Sequence, residues 1–264
     1  MKTHSFSSSL RIALWLLWCD VRLFLKDWCN NALNSIFWPL VLIGVNGYVL
    51  PAMGMPADYG AFMTISMLII IASFTAWMSA TVLAADFETT RSIGYELSLP
   101  LPYWLVYTKI IVHFALKTGL FSLVALVVGK LILLDGFDLS RLNILKFIGV
   151  YALSCLFFGT FAVWAASSAG AVEKLTNLEL RLVGPLFYVC GFSASWQTLH
   201  CIAPALGKAM LCTPWIYAYE GTRSAILGSA GNLNYWACCG MLLFFTLLFG
   251  LHGLWLFKKR LDCV

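Results

Sequence analysis

Charge is what this sequence has least of. Asp, Glu, Lys and Arg make up 11% of its 264 residues against 61% apolar ones, and the mean hydropathy is +0.86. A water-soluble domain carries about 25% charged residues, so a soluble fold is excluded and the chain reads as an integral membrane protein. Other absences narrow its chemistry. No G-x-x-x-x-G-K-[ST] occurs, so ATP is not held in a P-loop of this chain. The nine cysteines include no C-x-x-C and no His-paired spacing, which argues against a metal site. The histidines His4, His113, His200 and His252 are scattered, and no Glu-Glu pair or His-x-x-x-His occurs. A membrane-embedded enzyme acting on a lipid-linked substrate, the competing class, would gather such groups at membrane depth, because an ionisable group there is costly without a role. No basic stripe exists apart from Lys258-Lys259-Arg260, so the net charge of +5 points to membrane orientation and not to nucleic acid. Met1 to Ser9 lacks an apolar run ending in a small-residue cleavage site and reads as a retained, cytosolic start.

What is present is a series of apolar runs long enough to cross a ~30 Å hydrocarbon core. Residues 10–30 come first, and there Arg11, Asp20, Arg22, Lys26 and Asp27 interrupt an apolar face. So many charges forbid a span and suit an amphipathic interface helix, with Trp15, Trp18 and Trp28 at headgroup depth. Spans are expected over 32–50, 59–85, 104–128, 145–167, 182–194 and 235–257. The expectation is a single all-α transmembrane domain over 1–264, with six spans. Between spans two and three lies a charged, proline-ended segment, 86–102, and before the last span a mixed region, 195–234, is broken by Pro204, Pro214, Gly207, Gly221 and Gly228. One straight helix is ruled out there, so helical pieces dipping into the outer leaflet are expected. Cys201 and Cys212 share this region and form the one pair that a disulfide would suit.

Lys/Arg counting over short loops places both termini in the cytosol: Lys2, Arg11, Arg22, Lys26, Arg91, Lys174, Arg181 and Lys258 to Arg260 fall inside, Lys130, Arg141, Lys146, Lys208 and Arg223 outside. One intramembrane pattern stands apart. Lys109, His113 and Lys117 are spaced by four and so share one helix face, about 6 Å apart along the axis. Lys117 falls ~20 Å from Trp104, near mid-membrane, where an unpaired ammonium costs several kcal/mol. None of the twelve acids sits mid-span, which leaves Glu220 as the nearest partner if the outer region dips. The stripe reads either as a lysine snorkelling to the interface or as a route for an anionic headgroup.

The order of these elements resembles the membrane subunit of a type-2 ABC exporter. Phe87-Glu88 and Ile93-Gly94-Tyr95-Glu96-Leu97-Ser98-Leu99-Pro100 resemble that family's acidic, glycine-, leucine- and proline-bearing segment between spans two and three. Pro185, Gly191, Pro204 and the run Thr213-Pro214-Trp215-Ile216-Tyr217-Ala218-Tyr219-Glu220-Gly221-Thr222-Arg223 are similar to its outer re-entrant region, with Thr213 where Asn is usual. The resemblance spans nearly the whole chain. It implies a permease of the cytoplasmic membrane that pairs with a second permease copy, takes energy from a separate ATP-binding ABC subunit, binds no cofactor itself and moves a lipid-linked, glycan or amphipathic substrate. It also implies that Arg22, Lys26, Glu88, Arg91, Gly94, Glu96 and Pro100 face the ATPase, while Lys109, His113, Lys117 and Glu220 are candidates for the substrate route.

Overall fold

In the computed structural model the described residues are 6–26, 28–56, 58–89, 96, 99, 101–137, 142–228 and 231–261. Among them every regular element is helical, and five helices are long and apolar enough to cross a membrane. The protein is therefore an all-α, multi-pass membrane protein.

Helix α1 (Phe6–Lys26) leads to α2 (Trp28–Gly44), which carries Pro39 inside and continues through a π turn at Val45–Val49 to Ala52. The two disturbances have a common logic, since a proline and a wide turn each free backbone groups that a straight helix would pair. The Asn46 amide meets one such need by donating to the Leu42 carbonyl at 2.6 Å.

Helix α3 (Tyr59–Glu88) is the centre of the bundle. Its 30 residues carry no charge before Asp86, and most of its side chains, from Met63 and Ile65 to Leu83 and Ala84, are buried, while Phe74, Met78 and Val82 form one exposed stripe along its second half. A helix apolar all round must be enclosed by others. Around it stand α2, α4 (Tyr103–Ser122) with its continuation α5 (Val124–Leu133) and α6 (Ile144–Ala169), and α12 (Tyr235–Leu261) packs on α6. Helix α12 presents Leu243, Phe244, Leu247 and Leu251 outward, as a lipid-facing wall does.

Small residues set the spacing of this bundle, which is the usual device where lipid supplies no hydrophobic drive between helices. A Cβ on Gly159 of α6 would lie 2.8 Å from the Ile111 carbonyl oxygen and 3.0 Å from the Ala115 nitrogen of α4. On Gly129 of α5 it would lie 2.2 Å from the Thr64 methyl of α3. Phe157, Phe161 and Trp164 of α6 then interlock with Phe249 of α12 at centroid distances of 4.8–6.2 Å.

The bundle has two distinct ends. At one, Phe87 meets Phe257 and Arg260 Nε donates to the Ser167 carbonyl at 2.5 Å; here α6 stops on Gly170, whose left-handed φ of 65° closes the helix. At the other, Tyr48 bonds the Ile132 carbonyl, Tyr59 the Ser193 carbonyl, and Tyr235 the Lys146 carbonyl. The Asn143 side chain caps α6 there by accepting from Lys146 N.

The stretch 182–194 differs from a simple crossing. It is shared between a π turn at Glu179–Val183, which follows α7 (Val172–Leu178), the six-residue α8 (Gly184–Val189) and a turn closed by Gly191 at φ 111°. Gly184-Pro185 accounts for the wide π turn, because Pro185 has no N–H to donate to the preceding turn, and the helix itself ends at Cys190 and Gly191. Beyond it, α9 (Trp196–Ile202), α10 (Pro204–Met210) and α11 (Pro214–Ile226) are three short helices, two of them started by proline at the first helical position. Cys201 and Cys212 are both exposed and free, so the disulfide that their shared region suggests is absent.

Candidate functional site

Among the described residues two ion clusters are buried, one joining groups far apart in the chain and one built on an i,i+3 pair. The first centres on Lys109 of α4, which is 7% exposed. Its ammonium lies 2.9 Å from Asp20 of α1 and 2.5 Å from Glu96 in the segment between α3 and α4. Three parts of the chain thus meet on one charge. Phe24, one turn after Asp20, packs edge-on against Phe121 of α4 at 4.8 Å and extends the contact between α1 and α4.

This arrangement gives the stripe two carboxylate partners that the linear order does not show. Lys109 is paired with two carboxylates, one from α1 and one from the segment before α4, and so is not a free cation. Glu96 is likewise not a free surface carboxylate, since one oxygen is held by Lys109 and the other is buried without a hydrogen bond. His113 and Lys117 continue the face of α4. Among the described residues the buried His113 Nδ1 has no hydrogen-bond partner and Lys117 forms no ion pair.

Of the other residues expected at the coupling surface, Arg22 is exposed with its guanidinium 5.1 Å from the Trp18 ring centre. Lys26 is exposed at the end of α1, and Glu88 is exposed at the end of α3. Arg91, Gly94 and Pro100 lie outside the described residues.

The second cluster lies at the opposite end of the bundle. Arg223 of α11 is completely buried. Its Nη1 donates to Glu220 at 3.2 Å, and its Nη2 donates to Ser66 Oγ of α3 at 2.6 Å and to the carbonyl of Gly191. The guanidinium also lies 3.7 Å from the centre of the Phe62 ring, a cation–π contact that desolvation strengthens. Burial pulls this guanidinium down to about 10, and the Glu220 carboxylate opposes the shift, so Arg223 stays charged at neutral pH. Glu220 is used up in turn: it accepts from the backbone N–H of Trp196 at 3.0 Å and of Leu233 at 3.1 Å.

The i,i+3 spacing of Glu220 and Arg223 announces this pair, but its six-way linkage joins α3, the Gly191 turn, the start of α9 and the approach to α12. Glu220 is therefore a clasp of the broken region and does not meet Lys117. Arg223, counted above among the outer cations, is a buried structural group.

Beside this clasp opens a cleft of about 880 Å³ between the start of α3 and helix α9. Tyr59 and Phe62, stacked at 5.7 Å, form one wall, with Gln197, Thr198 and Ile202 opposite and Asp58 also in the lining. Composition gave no sign of it, because it is made by residues from 55 to 232 that only the fold brings together. Among the described residues no group of three or more His, Cys, Asp or Glu is arranged to hold a metal ion. Comparison with known proteins finds no family model that matches this chain and no curated protein that matches it.

Proposed function

We propose that this chain is the membrane-spanning permease subunit of an exporter of the type-2 ABC class, moving a lipid-linked, glycan or amphipathic substrate with energy from a separate ATP-hydrolysing subunit. The observation that carries this reading is the Lys109 junction. A permease without its own nucleotide site must convert a push from its partner into motion of its spans, and that requires the partner's contact surfaces to be fastened to a span. Lys109 fastens both: α1 through Asp20 and the segment between α3 and α4 through Glu96. Exposed Arg22, Lys26 and Glu88 flank the junction as contact groups. Lys258, Lys259 and Arg260 end α12 at the Phe87–Phe257 end of the bundle, which supports a cytosolic placement of that end.

On this reading 182–194 is a short, broken fifth crossing that makes six spans, α1 is an interface helix, both termini are cytosolic, and two permease copies pair. The region 195–234 sits on the outer side, its backbone polar groups shielded by protein.

The test is purification of the tagged full chain from its native membranes in mild detergent, followed by mass spectrometry and an ATP-hydrolysis assay. A copurifying P-loop ATPase, lost in a Glu88→Lys variant that still inserts, is the expected result. A chain that copurifies with no P-loop protein and no ATPase activity would overturn the proposal.

A further inference from the structure

The cleft beside the Arg223 clasp has a chemistry that selects one kind of ligand. Its wall is mostly apolar and aromatic, from Met55 and Phe62 to Ile202 and Leu227, and its polar groups are hydroxyls and amides. Among the described residues Asp58 is the only charged one lining it. That carboxylate is exposed, makes no cap hydrogen bond to α3 and pairs with no cation among the described residues. The next residue, Tyr59, adds an aromatic ring of the kind that attracts cations. The nearby Arg223 does not offset this, because its charge is matched by Glu220 within the buried clasp.

We propose that this cleft binds an amphiphile with a positively charged, ammonium-type head, the head at Asp58 and Tyr59 and the hydrocarbon against Met55, Ile202 and Leu227. An anionic amphiphile finds no cation among the described lining residues, and a phospholipid headgroup brings a phosphate that they leave unpaired. A glycan would leave most of the apolar wall wetted, since such a site is built from convergent polar groups. The cleft's size, about 880 Å³, falls within the range of small-molecule sites. As a statement about cargo this rests on the permease reading above and places the cleft at the release side. As a statement about binding it does not need the ATPase, so failure here and failure of ATPase copurification are separate results.

The experiment uses the full chain in phosphatidylcholine nanodiscs and radiolabelled dodecyltrimethylammonium, with empty nanodiscs as baseline. Saturable binding is expected, weakened about tenfold by Asp58→Asn, the order of one lost charge contact at an exposed site. Tyr59→Leu should weaken it as well. Ile202→Arg, at a position 78% exposed and so tolerant of a long polar side chain, should abolish it by charge repulsion. Dodecyl maltoside and dodecyl phosphate should compete poorly. The proposal is overturned if no saturable binding exceeds the empty discs, if Asp58→Asn and Ile202→Arg bind as the parent does, or if the neutral or anionic probe competes as well as the ammonium.

Discussion

Lys109 and Asp20 stand 89 positions apart in the chain and 2.9 Å apart in space, and with Glu96 they place one cation between two carboxylates at the side of α4. The lysine is nearly enclosed while the carboxylates keep 30% and 21% of their side-chain surface in solvent. The three groups are therefore unequal: the ammonium depends on its partners more than either carboxylate depends on it.

That inequality gives the first prediction. Asp20→Asn alone leaves Glu96 on the ammonium and should be mild. Lys109→Met removes the shared cation and leaves two carboxylates facing each other, with an expected loss of about 1–3 kcal/mol after allowance for their partial exposure. Adding Asp20→Asn and Glu96→Gln to Lys109→Met should recover most of it. Thermal unfolding of the purified chain in detergent checks this; equal melting temperatures for parent and Lys109→Met would show the junction to be energetically idle.

The second concerns the clasp. Arg223→Met leaves Glu220 buried and charged and strips a donor from Ser66 and the Gly191 carbonyl, so a loss of about 3–5 kcal/mol is expected. Arg223→Lys should not rescue it, because a point-like ammonium cannot reach several acceptors at once as the guanidinium fork does. Limited proteolysis between 190 and 234 reads the effect directly. Protection equal to the parent's in both variants would remove Arg223 from its assigned role.

Coupling supplies the third. Glu88 is exposed at the end of α3 and Glu96 is engaged by Lys109, so the two carboxylates should behave differently. Glu88→Lys should abolish substrate-stimulated ATP hydrolysis with folding unchanged, whereas Glu96→Lys should lower thermal stability as well, by setting two ammonium groups together. Normal coupling in Glu88→Lys would exclude this end of α3 from the ATPase contact.

The last prediction addresses Lys117, the stripe residue without an ion pair among the described residues. Lys117→Met keeps the volume and removes a costly charge, so stability should hold or rise. If the face carries an anionic group during transport, flux in vesicles reconstituted with the ATPase should fall, Lys117→Arg should keep part of it, and His113→Gln should act mildly in the same direction. Parental flux in Lys117→Met would make the lysine a passenger.

The spans were readable because they are a one-dimensional property: a charge-free run such as Tyr59 to Ala85 has only one kind of solvent that accepts it. The disturbance near Leu182 is signalled locally by Gly184-Pro185, yet its form is not, because a π turn that leads on into six more helical residues depends on what packs beside it. The ion pairs were legible in inverse proportion to their separation. Glu220 and Arg223 follow from i,i+3 spacing, whereas Asp20 lies 89 positions before Lys109, on a separate charged helix, and no spacing rule links the two. The cleft was wholly hidden, since its walls come from stretches as far apart in the chain as 55–62 and 193–232 and no local pattern marks the concavity.

The backbone contact at Gly159 bears on how this protein meets membranes of different thickness. With no side chain between them, α4 and α6 cannot slide past one another without the Ile111 carbonyl and the Ala115 nitrogen striking the facing helix. A bilayer thicker or thinner than their apolar length must then be met by tilting the two helices as one beam, or by deforming the lipid itself, at a fraction of a kcal/mol per Å. Because Lys109 sits on that beam, every degree of tilt is also a displacement of α1.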